Sequence, residues 1–169
     1  EYALAPSQTL TLAHFHLDQD DISRWHNTIH NPGWTQGSSF TTAGTDLSRD
    51  YDQERSLTYL RFEETNANSS WIDRYQATLS FQRTQDSEFR VRESGRSDTR
   101  ILDIDTFGLS LVAGTGETVW GADYFHDQID SQGFRNRTPR PSNRPIADDS
   151  TYESIGVFTN YTGAIGQRF

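Results

Sequence analysis

The stretch Arg74-Tyr75-Gln76-Ala77-Thr78-Leu79-Ser80-Phe81-Gln82 puts Tyr75, Ala77, Leu79 and Phe81 on one parity and only polar side chains on the other. Side chains of an extended strand point alternately to opposite faces, so the segment predicts a strand with one apolar and one wholly polar face. Outward from it, Trp120, Ala122 and Tyr124 oppose Gly121 and Asp123, while Ile155, Val157 and Tyr161 oppose Ser154, Gly156, Asn160 and Thr162. Six segments, 8–17, 52–64, 71–85, 99–113, 117–130 and 151–165, are compatible with this period, and no long segment keeps apolar residues at helical spacing. The expected fold class is all-β, an antiparallel up-and-down meander of about six long strands.

Composition sets the thickness of that fold. Of 169 residues only 33% are hydrophobic and mean hydropathy is -0.79, so a thick two-layer core would be hard to fill. Four tryptophans, seven tyrosines and ten phenylalanines nevertheless argue for a folded chain, and a single-layer sheet reconciles the two. A net charge of -9 and a pI near 4.9 disfavour a nucleic-acid or anionic-lipid surface driven by bulk electrostatics. Without cysteine there is neither a disulfide framework nor a thiolate site. No 18-residue apolar run is present, so no helix is expected to cross a membrane, but alternating strands can cross without one. Glu1-Tyr2-Ala3-Leu4-Ala5-Pro6 lacks an initiator methionine and the basic and apolar regions of a signal peptide, which suggests processing or truncation.

Two departures from clean alternation bear on the architecture. Leu102 and Ile104 share one parity and Phe107, Leu109 and Leu111 the other, which predicts a bulge, or an exit from the membrane near Asp105. Segments 8–17 and 52–64 carry apolar residues on both parities (Leu10, Leu12 against Ala13, Phe15; Leu57, Tyr59 against Leu60, Phe62) and fit a sandwich equally well. The connections read long at 18–51, short at 66–70, intermediate to long at 86–98, short at 114–116 and long at 131–150. Short periplasmic turns alternating with longer extracellular loops are the rhythm of a transmembrane β-barrel, with strands 52–64, 99–113 and 151–165 running toward the periplasm. Seen alone, such a segment is an open, curved sheet. A soluble extracellular β-sandwich for binding or adhesion is the alternative, and a porin or autotransporter barrel a third. A second sheet covering Tyr75, Ala77, Leu79 and Phe81 marks the sandwich; a barrel leaves them bare.

Three stretches carry a further likeness: Phe15-His16-Leu17-Asp18-Gln19-Asp20-Asp21-Ile22-Ser23-Arg24, Arg49-Asp50-Tyr51-Asp52-Gln53-Glu54-Arg55-Ser56-Leu57-Thr58-Tyr59-Leu60-Arg61-Phe62, and Trp120-Gly121-Ala122-Asp123-Tyr124-Phe125-His126-Asp127-Gln128-Ile129-Asp130-Ser131. With them the chain resembles the TonB-dependent outer-membrane receptors, in their haem and haemoglobin receptor-like branch. The resemblance implies a plug inside a barrel of about 22 strands. No plug domain is recognised in 1–169, so the whole chain is expected to be an internal, partial barrel with two open edges. It implies location in the bacterial outer membrane and contact with outer-membrane lipid. A ferric siderophore or haem is the implied ligand, and TonB is reached only through the missing plug. No catalysis, no cofactor of its own and no nucleic-acid partner are expected.

Candidate ligand residues fall in two places. His14 and His16 lie at i, i+2, and His26 and His30 at i, i+4 with Trp25 and Trp34 nearby; imidazoles with aromatic planes suit haem. The family's Asn-Pro-Asp-Leu motif is only partly matched by Asn31-Pro32-Gly33-Trp34, and solvated loop histidines are the plainer reading. A zinc pair at His26 and His30 is disfavoured, because Asn31-Pro32-Gly33 would end a helix and spacing supplies no third ligand. Asp18-Gln19-Asp20-Asp21 lacks the glycine and terminal glutamate of an EF-hand and reads as a solvated loop start. Arg135, Arg137, Arg140 and Arg144, interrupted by Pro139, Pro141 and Pro145, form an extended basic arm suited to an anionic ligand or lipopolysaccharide phosphates, or basic for solubility alone. The expected ligand-binding set is therefore His26, His30, Trp34, Arg135, Arg137 and Arg140, with no catalytic or metal-ligating residue. No Gly-x-Ser-x-Gly elbow, Walker loop or dinucleotide fingerprint occurs, and nothing marks Asp103 or Asp105 as an acid catalyst.

Overall fold

The computed structural model describes residues 1–24, 46–67 and 71–163, with the backbone of 30–31 and 42–43. In chain order the elements are β1 (Tyr2–Ala5), β2 (Gln8–Ser23), β3 (His30–Asn31), β4 (Thr42–Ala43), β5 (Asp46–Glu64), β6 (Arg74–Arg92), β7 (Ser97–Thr115), β8 (Thr118–Arg135), β9 (Thr138–Pro139), a 3-10 turn (Pro141–Asn143) and β10 (Ser150–Tyr161). One sheet runs β1-β2-β5-β6-β7-β8-β10 with β9 folded onto β8, and β3 pairs only with β4. Every pairing is antiparallel. The all-β, up-and-down meander is thus what the chain forms, in one open sheet.

All six predicted strands are present, most of them longer than periodicity indicated. Strands β5, β6 and β7 each have 19 residues, about twice the 9–11 that a tilted strand needs to cross a bilayer. The extra length corrects the connection at 86–98, read as a loop: all but 93–96 is strand, closed by Gly95 at φ 76° with its N–H donating to the Arg92 carbonyl. Side chains there still alternate, Ser87, Phe89 and Val91 on the parity of Tyr75, Ala77, Leu79 and Phe81 against Asp86, Glu88, Arg90 and Arg92, an alternation that the loop reading overlooked. At the opposite end Gly116, at φ 54°, opens a two-residue turn between the paired Thr115 and Thr118, where a positive φ matches the strand twist. Asp18-Gln19-Asp20-Asp21 is also strand, within β2, and not a loop start. The four-residue β1, which periodicity missed, pairs back onto Leu10 and Thr9.

The parity change in β7 does not come from a bulge. Pairing of β7 with β6 and β8 runs without a register shift from Asp98 to Gly114, so Leu102 and Ile104 face opposite to Phe107, Leu109 and Leu111. Among the described residues no second sheet covers either face of the long sheet and no hydrophobic side chain is buried. The sandwich alternative therefore fails for these residues. On the more polar face, aromatics lie flat over glycines: a Cβ on Gly121 would sit 2.5 Å from the Phe158 ring and 2.7 Å from the Leu111 carbonyl oxygen. Since backbone cannot yield as a side chain can, Gly121→Val is expected to destabilise the sheet by about 1–3 kcal/mol in denaturant unfolding.

Candidate functional site

Cross-strand partners share a face, so the register resolves one side of the sheet into rows. The first is Gln8, Glu64, Tyr75, Ala113, Trp120 and Thr159; the second Tyr2, Leu10, Phe62, Ala77, Leu111, Ala122 and Val157. The third is Leu12, Leu60, Leu79, Leu109, Tyr124 and Ile155, and the fourth His14, Thr58, Phe81, Phe107, His126 and Glu153. The fifth row, His16, Ser56, Arg83, Asp105, Gln128 and Thr151, has no apolar member. An apolar band thus crosses the strands, bordered by Tyr75 and Trp120 at the short-turn end and by Phe81 and Phe107 at the other. Its first and fourth rows lie about 20 Å apart along the strands, against the ~25 Å apolar belt of outer-membrane barrels.

The band is bare. Ile155 is 78% and Val157 81% exposed, and Leu12, Leu60, Leu79, Phe81, Phe107 and Leu111 are exposed with them. Covering these eight side chains would contribute on the order of 10 kcal/mol, a driving force the isolated sheet leaves unused. Tyr75, Ala77, Leu111, Ala113, Trp120 and Ala122 line a hollow of about 490 Å³ on this face, shallow because three of them are alanines.

Beyond the fourth row the same face turns acidic. Asp18, Asp20, Asp52, Glu54 and Asp103 line a hollow of about 270 Å³ with Gln85. The Asp18 charge chiefly, with burial and the charges of Asp52, Asp21 and Glu54, raises the Asp20 carboxyl above its ordinary range. Asp103 accepts a hydrogen bond from Gln85 at 2.9 Å, and Asp105 lies 3.7 Å from Arg83. His14 and His16 lie on the banded face: His14 Nδ1 is 2.8 Å from Thr58 Oγ1, and His16 Nδ1 is 3.9 Å from Glu54.

The opposite face, at its loop end, holds a guanidinium cluster. One cross-strand row there is Arg49, Arg90, Asp98 and Arg135, and the next is Tyr51, Glu88, Arg100 and Gly133. Arg49 reaches Glu88 at 2.8 Å and Arg100 reaches it at 3.3 Å; Arg90 lies 2.7 Å from Asp46. Asp98 is shared by Arg96 at 2.9 Å, Arg135 at 3.4 Å and Arg92 at 3.6 Å. Asn143 of the 3-10 turn also donates to Asp98, at 2.9 Å. That turn lies directly over Gly133, whose added Cβ would meet the Asn143 carbonyl carbon at 2.6 Å. Burial pushes the Asp98 carboxyl up, but hydrogen bonds from Arg96 and Asn143 and the charges of Arg96 and Arg92 outweigh it and hold it below the usual carboxylate range.

Of the predicted ligand residues, Arg135 joins this cluster. Arg137 sits with Asn136 at the tip of the β8–β9 hairpin, both at positive φ (66° and 51°), and is exposed. Arg140 is exposed and, with Arg144, lines a separate hollow of about 280 Å³; its N–H donates to the Gly133 carbonyl. The structure therefore does not gather the arginines of the arm around one point. His30 lies in β3 opposite Ala43, its side chain outside the described residues, as are His26, Trp25 and Trp34. The sequence reading missed Arg49, Arg90, Arg92, Arg96 and Arg100, and it missed the carboxylates of Asp130, Asp148 and Asp149, whose oxygens come within 4.8 Å of one another. Asp148 in that trio is already engaged by the Ser131 N–H and by Arg144.

No known family matches the chain, and neither a curated protein nor a solved structure shows significant similarity to it.

Proposed function

We propose that the chain is a barrel-wall and extracellular-loop segment of an outer-membrane receptor of the TonB-dependent kind, serving uptake of an iron-bearing ligand such as a ferric siderophore or haem. The observation that carries the barrel reading is the four-row apolar band with a fully polar row beyond it, on a face that no other part of the described chain covers. Lipid chains cover such a band, and aromatic rows at its two borders suit the two interfaces. Both edges of the sheet support a continuing wall: β10 pairs only with β8, and β1 covers only the first residues of β2. Strands twice the crossing length raise the wall well beyond the lipid on the loop side, which suits a receptor that meets its ligand outside. The iron-receptor assignment itself rests on the sequence resemblance.

Residues 1–169 contain no cysteine, so a single thiol can be introduced into this segment, with any cysteine elsewhere in the full-length protein replaced first. Leu109→Cys and Ser110→Cys would place single thiols on opposite faces of β7. In the full-length protein in native membranes, the thiol of the Leu109→Cys variant should resist a membrane-impermeant maleimide and react with a lipid-soluble one. That of the Ser110→Cys variant should react with the impermeant reagent once the channel is open to it. Equal labelling of both variants by the impermeant reagent removes the barrel reading. Loss of iron-ligand uptake in cells without working TonB tests the receptor assignment separately.

A further inference from the structure

The geometry points to a binding site for a soluble polyanion at the loop end of the more polar face, its carboxylate or phosphate groups seated among Arg92, Arg100 and Arg135. Six guanidiniums, those of Arg49, Arg90, Arg92, Arg96, Arg100 and Arg135, share only three carboxylates, Asp46, Glu88 and Asp98. The cluster therefore carries three positive charges in excess within a chain whose net charge is -9. Exposure sharpens the asymmetry. The side chains of Asp46, Asp98 and Glu88 are 0%, 6% and 11% exposed, while those of Arg92, Arg135 and Arg100 are 34%, 37% and 42% exposed. An arriving ligand meets guanidinium edges, with the balancing oxygens tucked behind them.

A network built only to hold strands together has no need of a third arginine on one carboxylate, since like charges there repel. A polyanion relieves that repulsion, and guanidinium forks match carboxylate and phosphate oxygens in pairs. Tyr51, with the guanidiniums of Arg24 and Arg49 5.5 Å and 5.6 Å from its ring, fixes one side of the site, and the turn over Gly133 fixes the other. Lipopolysaccharide phosphates carry the same chemistry, but the cluster lies on the face away from the apolar band, so a dissolved ligand is the one that reaches it. The arginine cluster does not depend on barrel closure, and the choice of a dissolved ligand over lipopolysaccharide rests on the barrel reading.

The test is calorimetric titration of the full-length protein in detergent with inorganic pyrophosphate. Saturable, salt-weakened binding is expected, at least tenfold weaker in Arg100→Gln and in Arg135→Gln, and unchanged in Arg74→Gln at the opposite end of the sheet. Absence of saturable binding, or equal binding by the two cluster variants and the wild type, overturns the site. If a cluster variant does not fold, pyrophosphate should still protect wild-type Arg100 and Arg135 from phenylglyoxal; no protection overturns it equally. Competition by lipopolysaccharide vesicles overturns the soluble-ligand assignment. A failed cysteine-labelling pattern with pyrophosphate binding intact removes the barrel and leaves this site.

Discussion

Leu79→Arg is expected to destabilise the protein in phospholipid bilayers by about 2–4 kcal/mol, while Ser80→Arg, one residue on, should stay within about 0.5 kcal/mol. Leu79 lies in the third row, between Leu60 and Leu109, and is exposed on the face that carries the band. A guanidinium there must reach an interface past a further row of apolar side chains. Ser80 lies on the other face between Tyr59 and Gly108, where the barrel reading expects water. Denaturant unfolding in bilayers, followed by tryptophan emission, reads the difference. Equal small effects at the two positions would mean that no hydrocarbon touches Leu79. The same pair on β7, Leu111→Arg against Ser110→Arg, repeats the comparison one strand over.

The band was legible because it is written into the sequence one residue at a time. Tyr75, Ala77, Leu79 and Phe81 must each avoid polarity, and their alternation with Gln76, Thr78, Ser80 and Gln82 survives any detail of register. The same parity continues past it: Ser87, Phe89 and Val91 oppose Asp86, Glu88, Arg90 and Arg92 in β6, an alternation obscured by the density of charge around it. Asp18, Gln19, Asp20 and Asp21 are polar on both parities, leave no period to read, and so read as a loop. Leu102 and Ile104 kept the alternation but on the other parity, and only the unbroken register of β7 shows that they left the band without a bulge. The guanidinium cluster is harder still. Asp98 and Asn143 are 45 positions apart, and their contact depends on how the β8–β9 hairpin turns back over Gly133. Arg135 was legible as part of a basic run, but its partners were not, because pairing across strands is fixed by register and not by proximity in the chain.

Asp98→Asn is expected to cost about 3 kcal/mol at neutral pH, the low end for breaking a buried charge pair. The carboxylate side chain is 6% exposed, and its loss leaves Arg92, Arg96 and Arg135 facing one another; their partial exposure, at 34%, 30% and 37%, lets water temper the repulsion. Asparagine keeps the shape and one acceptor for Asn143, so the effect isolates the charge. It should be local, appearing as faster hydrogen exchange at 90–100 and 131–135 while the band at 75–81 and 107–113 keeps its protection. The pH dependence follows from the lowered Asp98 carboxyl. A carboxyl held below its unfolded value contributes its full stability above the ordinary carboxylate range and loses it as pH falls through the folded value. Wild type and Asp98→Asn should therefore differ most at neutral pH and converge on acidification below about pH 4. A difference that stays constant across that range would mean that the contribution of Asp98 is steric and not electrostatic, and the charge balance drawn for the cluster would have to be redrawn without it.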